Sequence, residues 1–395
     1  MSNIRNFHVV REKSESEIDF SKRIKKHKYT SFIRFVVCTL AIIIVISLLV
    51  IQYKNQIYTE MVIAGQTERT FVENTSFMDQ NGNIITYSKD GISSMDAKGK
   101  ALWNMTYEMQ SPIVHISGDV VAACDYNGHI IYVVDSKGKV SEVDTNLPIR
   151  NFSVSKEGLV AAILEDSGNS WVNLYDSLGN LIVEAKATMT KTGYPLAVTL
   201  SGEVMGVSYL YVDSDTMKSS VTFYNFGGVG ENSSDHIVSS YDYADAVVPM
   251  LQFLDNQYSF AVADNRLMFF CGAKKPTSVA DVLLQENIQG VYFGEQYVGL
   301  IFYDTTGQCK YRIDVYNTQG NLVMSHQFDM DYKDIIIRND QITIYNESQC
   351  CLINMNGKEK FSGKFDENII YMAPTDSPRK FVVLKENTLD ILEFK

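Results

Sequence analysis

The sequence is poor in the residues that build metal centres and disulfide frameworks. It has six cysteines and six histidines in 395 residues. The cysteines beyond the apolar N-terminal segment are odd in number and lack a metal-ligand spacing. We interpret them as small buried hydrophobic side chains; they are Cys124, Cys271, Cys309, Cys350 and Cys351. The histidines beyond residue 55 lie in four separate parts of the chain, a spacing that argues against zinc; they are His115, His129, His236 and His326.

Short catalytic motifs are also missing. The sequence has no Gly-x-Ser-x-Gly elbow, no phosphate-binding glycine loop and no His-Glu-x-x-His pair. The acidic segment at Asp213 lacks the further oxygen ligands and the glycine of a calcium loop, so we interpret residues 213–218 as a long hairpin loop. We therefore predict no catalytic residue, no cofactor and no metal site.

No amphipathic helical pattern of useful length follows residue 55, which excludes the helical repeat families. Instead, a four-residue turn with Asp or Asn first and Gly fourth recurs, as is typical of a type I turn between strands. Successive turns are 37 to 49 residues apart, except for one interval of 92 that spans two units. The turns mark a repeat of about 40 residues; they begin at Asp96, Asp135, Asp176, Asn225, Asn317 and Asn354.

Proline is scarce, with seven residues, and four of them open equivalent strands. Proline lacks a backbone donor and is tolerated at the first residue of a strand but not in the middle of a sheet. One position of the repeat is thus occupied by proline four times. Each of these prolines precedes an apolar run, a turn and a second apolar strand: Pro112, Pro148, Pro195 and Pro249.

A period near 40 with about four short strands per unit predicts an all-β fold, a β-propeller. Counting units gives about eight four-stranded blades, with seven as the alternative. The last unit offers only three strands, so we expect an N-terminal strand within residues 57–64 to complete it and to close the ring. The blades are expected to begin near Phe71, Pro112, Pro148, Pro195, Pro249, Ile288, Asp334 and Ile369.

The N-terminal part differs in composition from the rest. Residues 1–31 are polar with a basic run, and we predict a disordered tail. Residues 32–52 are almost wholly apolar and long enough to cross a bilayer as one helix. Residues 53–70 are expected to form a juxtamembrane linker and the ring-closing strand, and residues 71–395 the propeller.

The distribution of charge gives this helix a direction. Residues 1–34 carry nine basic and four acidic side chains, whereas the remainder carries a net charge of −17. Because basic flanks stay in the cytoplasm, we predict a single-pass protein of the cell membrane with a cytoplasmic N-terminus and an extracellular propeller. A body this acidic is unsuited to phosphate backbones, so nucleic acid is not an expected partner. The expected partner is an envelope protein or a cell-wall glycan.

The turn that begins at Asp96 is part of a longer sequence pattern that resembles one found in a known protein family. Asp96 and its turn continue to Trp103 in the pattern Asp-x-x-Gly-Lys-x-x-Trp, which resembles the docking signature of quinoprotein propellers. Some of those enzymes carry adjacent cysteines beside the cofactor, similar to Cys350 and Cys351. The pattern occurs in one unit of eight and the chain has two tryptophans, so the resemblance supports the fold and not the redox activity.

Segments across the chain resemble an uncharacterised family of single-pass, membrane-anchored propeller proteins of Gram-positive, clostridial-type bacteria. The resemblance implies the fold and the membrane topology, and it assigns no site. The segments are residues 91–105, 190–212, 221–232 and 241–256.

Function is predicted as a class, namely a non-catalytic binding or scaffolding module of the cell envelope. The alternative is an exported enzyme, either quinone-dependent or glycan-active. Carboxylates that meet a His or an Arg at the mouth of the central channel would favour this alternative.

The working surface is predicted on the face where one blade connects to the next. Tyrosines beside carboxylates precede several blade openings there, and such side chains are typical of recognition surfaces. The alternative is that these rings pack as wedges between blades. The candidate partner-binding rim comprises Tyr107, Glu108, Tyr194, Tyr241, Asp242, Tyr243 and Asp245.

Overall fold

The computed structural model describes residues 15–54, 56–72, 74–187, 193–213, 215–338 and 340–395. The chain divides into two units, Met1–Gln56 and Ile57–Lys395. The described part of the first unit is dominated by one helix, and the second unit is all-β.

Helix α1 spans Glu15–Lys54 and contains the predicted membrane span. Its segment Lys22–Leu49 is long and apolar enough to cross a membrane, as an anchor or a signal sequence would be. The helix begins earlier than expected, since residues 15–31 are helical where we predicted a disordered tail. Glu, Lys and Arg are good helix formers, and the acidic residues lie in its N-terminal part, where the helix dipole favours them. The rest of the predicted tail, residues 1–14, lies outside the described residues.

The second unit consists of eight four-stranded antiparallel sheets, which confirms the eight-bladed propeller. Strand β1 (Met61–Glu68) belongs to the last sheet. Blade 1 comprises β2 (Ser76–Gln80), β3 (Asn83–Tyr87), β4 (Gly91–Met95) and β5 (Ala101–Thr106). Blade 2 comprises β6 (Pro112–Ser117), β7 (Val120–Asp125), β8 (Ile130–Val134) and β9 (Val140–Asp144). Blade 3 comprises β10 (Ile149–Val154), β11 (Val160–Asp166), β12 (Asn169–Tyr175) and β13 (Leu181–Ala187).

The remaining blades repeat this order. Blade 4 comprises β14 (Tyr194–Ser201), β15 (Val204–Asp213), β16 (Thr216–Asn225) and β17 (Ile237–Ala244), with a 3-10 turn at Gly230–Asn232. Blade 5 comprises β18 (Met250–Phe253), β19 (Tyr258–Val262), β20 (Arg266–Cys271) and β21 (Thr277–Leu283). Blade 6 comprises β22 (Gly290–Phe293), β23 (Tyr297–Tyr303), β24 (Tyr311–Asn317) and β25 (Leu322–Phe328). Blade 7 comprises β26 (Asp334–Arg338), β27 (Gln341–Tyr345), β28 (Gln349–Asn354) and β29 (Glu359–Lys364). Blade 8 comprises β30 (Tyr371–Pro374), β31 (Lys380–Leu384), β32 (Thr388–Phe394) and β1.

The ring is closed by pairing its two ends. Strand β1 runs antiparallel to β32, from Met61 opposite Phe394 to Glu68 opposite Thr388. The closing strand overlaps the predicted residues 57–64 and ends four residues later. The eighth sheet therefore gains its outer strand from the start of the propeller, which covers an edge that would otherwise be exposed.

The propeller has two faces with different turns. The first strands of neighbouring blades contact each other, so they line the centre. Turns that join strands one and two, or three and four, lie on what we call the corner face. Loops that join strands two and three, and connections between blades, lie on the opposite face, called the loop face. The segment leading into β1 lies on the corner face, where the Thr59 N–H donates to the carbonyl of Lys395 at 2.6 Å.

The recurrent acidic turns have the geometry that the sequence predicted. In blade 2 the Asp135 carboxylate accepts the backbone N–H groups of Lys137 and Lys139, both at 2.9 Å. These hydrogen bonds hold the pKa of Asp135 below its usual value. The fourth residue, Gly138, has a φ of 78°, a conformation that favours glycine. The side chain of the first residue thus stabilises its own turn by accepting backbone N–H groups of the residues that follow.

Adjacent residues of a strand enter different hydrophobic cores, because their side chains point to opposite faces of the sheet. On β28, Cys350 packs in a core with Phe394, whereas Cys351 packs in another core with Ile313. Burial raises the pKa of the Cys350 thiol to about 12. These free cysteines act as small hydrophobic side chains, and so does the buried Cys124. The two remaining propeller cysteines are only half-buried: Cys271 and Cys309.

Candidate functional site

Two of the predicted rim tyrosines are buried. Tyr107 is 8% exposed and Tyr243 is 7% exposed. The Tyr107 ring lies parallel to that of Tyr132 of blade 2 at 6.4 Å, and the guanidinium of Arg266 lies 5.5 Å from the centre of the Tyr243 ring. Burial raises the pKa of both phenols. These two rings are wedges between blades, the alternative that the sequence left open.

Tyr241 joins blade 4 to blade 5. Its hydroxyl donates to the carbonyl of Pro276 at 3.2 Å and accepts the N–H of Ser278 at 3.1 Å, next to the last turn of blade 5. Trp103 occupies the same kind of position between blades 1 and 2, against the turn at Gly138. The position that packs against the last turn of the next blade is therefore filled by Tyr241 at one interface and by Trp103 at another. The tryptophan signature in the sequence identifies only Trp103.

The remaining predicted rim residues reach solvent, but at separate places. Tyr194 is half-buried near the channel, where its hydroxyl donates to Glu165 at 2.9 Å and Arg150 donates to the same carboxylate at 3.1 Å. Burial and this hydrogen bond raise the pKa of Tyr194. The exposed carboxylates of the set lie beside blades 1 and 4, on the loop face: Glu108, Asp242 and Asp245.

A group of rings that the sequence did not predict lies on the loop face of blade 6. The ring of Tyr311 stacks on that of Tyr303 at 5.7 Å with 23° between the planes. The Tyr332 ring meets Tyr311 edge-on at 5.2 Å. Phe328 is buried beneath this pair, 5.5 Å from Tyr311. Tyr303 is 55% exposed, so the cluster carries an aromatic surface out to solvent.

The hairpin loop between β23 and β24 is held by one carboxylate. Asp304 accepts hydrogen bonds from the Thr306 hydroxyl at 2.7 Å, the Cys309 N–H at 3.0 Å and the Gln327 amide at 3.1 Å. These bonds, led by that from Thr306, hold the pKa of Asp304 well below its usual range. The loop that carries Lys310 to the tyrosine cluster is thus locally ordered.

The carboxylate of Asp331 lies at the edge of this cluster. Lys310 Nζ donates to Asp331 Oδ1, and the Tyr311 hydroxyl donates to the same oxygen at 3.1 Å. The bond from Lys310 is the largest cause that lowers the pKa of Asp331. Lys310 Nζ also lies 5.0 Å from the centre of the Tyr311 ring. The cluster therefore combines a π face with an ionised carboxylate.

An open groove of about 520 Å³ continues from Asp331 across blade 7 towards blade 8. Its walls are tied together: Asn346 Nδ2 donates to the Asp331 carbonyl at 2.6 Å, and the Ile369 N–H donates to the Glu347 carbonyl at 2.9 Å. Because these bonds belong to the fold, the groove is formed without a ligand. It is lined by Asp331, Tyr332, Lys333, Asn346, Glu347, Ser348 and Asn368.

The arrangement is suited to holding a ligand by stacking and by charge. Tyrosine rings, side-chain amides and carboxylates line one continuous part of the loop face. Glu347 pairs with Lys333 at 3.7 Å, and Glu367 pairs with Lys385 at 3.4 Å. Among the residues that the structure describes, no group of three or more His, Cys, Asp or Glu side chains is arranged to hold a metal ion.

A second charged cluster lies on the corner face, at the inner strands. Arg338 of blade 7 pairs with Asp79 of blade 1 at 2.9 Å and with Asp376 of blade 8 at 3.5 Å. Burial raises the pKa of Asp79, against the lowering effect of Arg338. This is an arginine between two carboxylates near the channel, but the adjacent cavity of about 10 Å³ holds at most one water molecule. We interpret the cluster as a clasp that ties three blades together.

The proline pattern that marks the predicted rim does not mark the tyrosine cluster or the groove. Asp329, Asp331 and Tyr332 precede the opening of blade 7 just as Tyr241 and Asp242 precede that of blade 5. Blade 7 opens on an aspartate, so the proline signal is missing there. An aromatic beside carboxylates before any blade opening would have been the better signal.

Comparisons with known proteins agree with the fold. The model of a family described as a family of unknown function (DUF5711) matches residues 54–394. No curated protein matches the chain in sequence. Apo AztD from Citrobacter koseri is similar in structure, with a TM-score of 0.55 and 11% identity over 75% of this chain and 86% of that chain. BamB from Moraxella catarrhalis has a TM-score of 0.48 and 12% identity over 85% of this chain and 98% of that chain. At 11% identity the likeness to AztD shows the fold alone and carries no function, and the likeness to BamB carries no argument.

Proposed function

The chain belongs to this family of unknown function, DUF5711, and we propose that it is a membrane-anchored propeller acting as a non-catalytic binding or scaffolding module of the cell envelope. The observation that carries the proposal is the preformed groove of about 520 Å³ beside a stack of tyrosines on the loop face. Binding modules use such rigid aromatic and polar surfaces, because little side-chain freedom is lost on contact.

The way the chain enters the propeller supports this use of the loop face. The segment that follows helix α1 reaches β1 on the corner face, where Thr59 bonds to Lys395. The chain thus enters the propeller on the corner face, opposite the groove. We propose that the loop face meets the partner, an envelope protein or a cell-wall glycan, and not nucleic acid, since the part of the chain after residue 34 carries a net charge of −17.

We also propose that helix α1 is a single membrane span with a cytoplasmic N-terminus and an extracellular propeller. The basic side chains of residues 1–34 and the resemblance to envelope proteins of Gram-positive, clostridial-type bacteria support this orientation. Protease added to wall-stripped intact cells should then digest the propeller and spare the N-terminus. A propeller that resists protease until the cells are lysed would reverse the orientation.

In this proposal, the predicted rim residues contribute less to partner binding than the sequence alone suggested. Glu108, Asp242 and Asp245 are exposed on the loop face and are proposed as outlying partner contacts. Tyr107 and Tyr243 are too deeply buried to take part. The main contact is placed in the groove, two blades away from the nearest predicted rim residue.

The function is tested by blocking the groove without disturbing the fold. Asn368 is exposed in the groove, so Asn368→Trp fills it, and Leu178→Trp places the same ring on the corner face, where Leu178 is 72% exposed. Chemical crosslinking in native membranes, followed by purification of the whole chain, should recover the partner with the parent and with Leu178→Trp, and several-fold less with Asn368→Trp. Equal recovery with both variants would place the working surface outside the groove.

A further inference from the structure

We infer that Asp331 and the tyrosines around it form a receptor for a cationic side chain, and that the chain's own Lys310 fills this receptor until a partner displaces it. The inference rests on the proposed function and names the chemistry of the partner. The partner is a protein segment rich in lysine or arginine.

The receptor contains both groups that bind an ammonium ion. Lys310 Nζ pairs with Asp331 Oδ1 and lies 5.0 Å from the centre of the Tyr311 ring. A carboxylate together with an aromatic face attracts a cation by charge and by the ring quadrupole. The Tyr311 hydroxyl donates to the same carboxylate oxygen at 3.1 Å, which fixes the two groups relative to each other.

The receptor does not depend on Lys310 for its shape. Tyr311 is packed against Tyr303, Tyr332 and the buried Phe328. The backbone of Asp331 is held by Asn346, whose amide donates to its carbonyl at 2.6 Å. Removal of the lysine side chain therefore leaves the carboxylate and the rings in place, ready for another cation.

Lys310 is also easy to displace. Its side chain is 48% exposed and that of Asp331 is 73% exposed. Ion pairs this exposed contribute little to stability, because water screens the charges and the side chains lose freedom. An incoming cation that gains further contacts in the adjoining groove therefore outcompetes the internal one.

The surroundings select a cation over a neutral or acidic ligand. The connections that border the groove carry additional carboxylates, and the two nearest lysines are already paired with acidic partners. The resulting negative field speeds the approach of a basic segment and repels an acidic polymer. A neutral glycan would gain nothing from the field. The carboxylates concerned are Asp329, Glu347, Asp366 and Glu367.

The test uses acetylated, amidated pentalysine as probe and the whole chain in neutral detergent at low salt. Lys310→Met empties the receptor, and Lys89→Met is its matched control, since Lys89 is exposed in the loop between β3 and β4, so the variant removes the same charge from the same face far from the groove. We expect Lys310→Met to bind the probe at least about five-fold more tightly than the parent, and Lys89→Met to change affinity less than two-fold. Asp331→Asn in the Lys310→Met background should abolish the gain. Melting curves of each variant check that the fold is intact.

Two results would overturn the inference. Equal tightening by Lys310→Met and Lys89→Met would show a general effect of charge and no receptor. Absence of pentalysine binding to Lys310→Met, together with a partner still lost from Asn368→Trp, would show that the groove binds something other than a basic segment, such as a glycan. That second result leaves the proposed function standing, whereas equal partner recovery from Asn368→Trp and Leu178→Trp removes the proposed function as well.

Discussion

At the scale of single residues, side chains with similar sequence neighbours take different positions in the propeller. Some pack between blades and others lie on the surface. Tyr107 follows the end of β5, Tyr303 is the last residue of β23, and each precedes a charged residue, yet Tyr107 is buried between blades and Tyr303 is largely exposed. The difference comes from packing, because the Tyr107 ring lies against Tyr132 of the next blade whereas Tyr303 is 55% exposed. The sequence pattern identifies such tyrosines, and only the packing distinguishes them.

Tyr107 tests the wedge interpretation directly. Its ring is buried, and its hydroxyl is buried without a hydrogen-bond partner in the described structure. Tyr107→Phe removes an unsatisfied polar group and should leave the free energy of unfolding unchanged or raise it by up to about 1–2 kcal/mol. Tyr107→Ala leaves a cavity and should cost about 3–5 kcal/mol. Urea unfolding of the whole chain in detergent measures both, and a tolerated alanine would mean that the ring is not a wedge.

His115 gives a prediction in pH. It lies on the inner strand β6 with its ring 4.8 Å from that of Phe152, and burial lowers its pKa to about 4. Between pH 4 and 6.5 the unfolded chain binds a proton that the folded chain does not, so stability is complete above about 6.5 and falls as the pH drops towards 4. The phenylalanine of His115→Phe cannot take up this proton. Over this pH range, the free energy of unfolding of the variant should therefore fall by up to about 3 kcal/mol less than that of the parent. Parallel slopes of melting temperature against pH would contradict the assignment.

At the scale of elements, the turns and blade openings were predictable because they depend on local chemistry. Asp135 closes its turn with its own neighbours, and Pro112 opens blade 2 because a strand tolerates proline there. The groove depends instead on distant contacts. Asp331 and Asn346 meet across blade 7, and Lys310 reaches Asp331 from another loop. No local sequence pattern encodes these contacts, so the site could be identified only from the structure.

The turn at Gly138 tests how the blades dock. A Cβ at Gly138 would lie 2.7 Å from the Cβ of Trp103, and the residue has a φ of 78°. Gly138→Ala therefore combines backbone strain with a clash at the interface of blades 1 and 2, and we expect a loss of about 2–4 kcal/mol. Gly82 is the control, since its φ is 86° and a Cβ there meets nothing within 4 Å. Gly82→Ala should cost only about 1–2 kcal/mol. Equal losses in thermal unfolding would show that Trp103 does not hold this interface.

At the scale of the whole molecule, the ring depends on a strand that lies before the first blade in sequence. Met61 pairs with Phe394, so the two ends of the propeller support each other. The same arrangement brings the chain into the propeller on the corner face, opposite the groove and the tyrosine cluster of the loop face.

Ring closure predicts the effect of N-terminal truncation. A chain that begins at residue 57 keeps β1, whereas one that begins at residue 70 lacks it and exposes the edge of β32. We expect the first to be monomeric and to melt near the temperature of the whole chain, and the second to aggregate or to melt at least about 10 °C lower. Light scattering during a thermal scan compares them. Matching curves would show that β1 is dispensable.

The central claim is that the loop face at blades 6 to 8 holds the partner. A photo-crosslinking amino acid placed at Asn368 lies in the groove, and one placed at Leu178 lies exposed on the corner face. Illumination of intact cells that make each whole-chain variant, followed by denaturing purification, reports what each face touches. We predict one discrete adduct from Asn368, diminished by added pentalysine, and none from Leu178. An adduct from Leu178 with none from Asn368 would contradict the account.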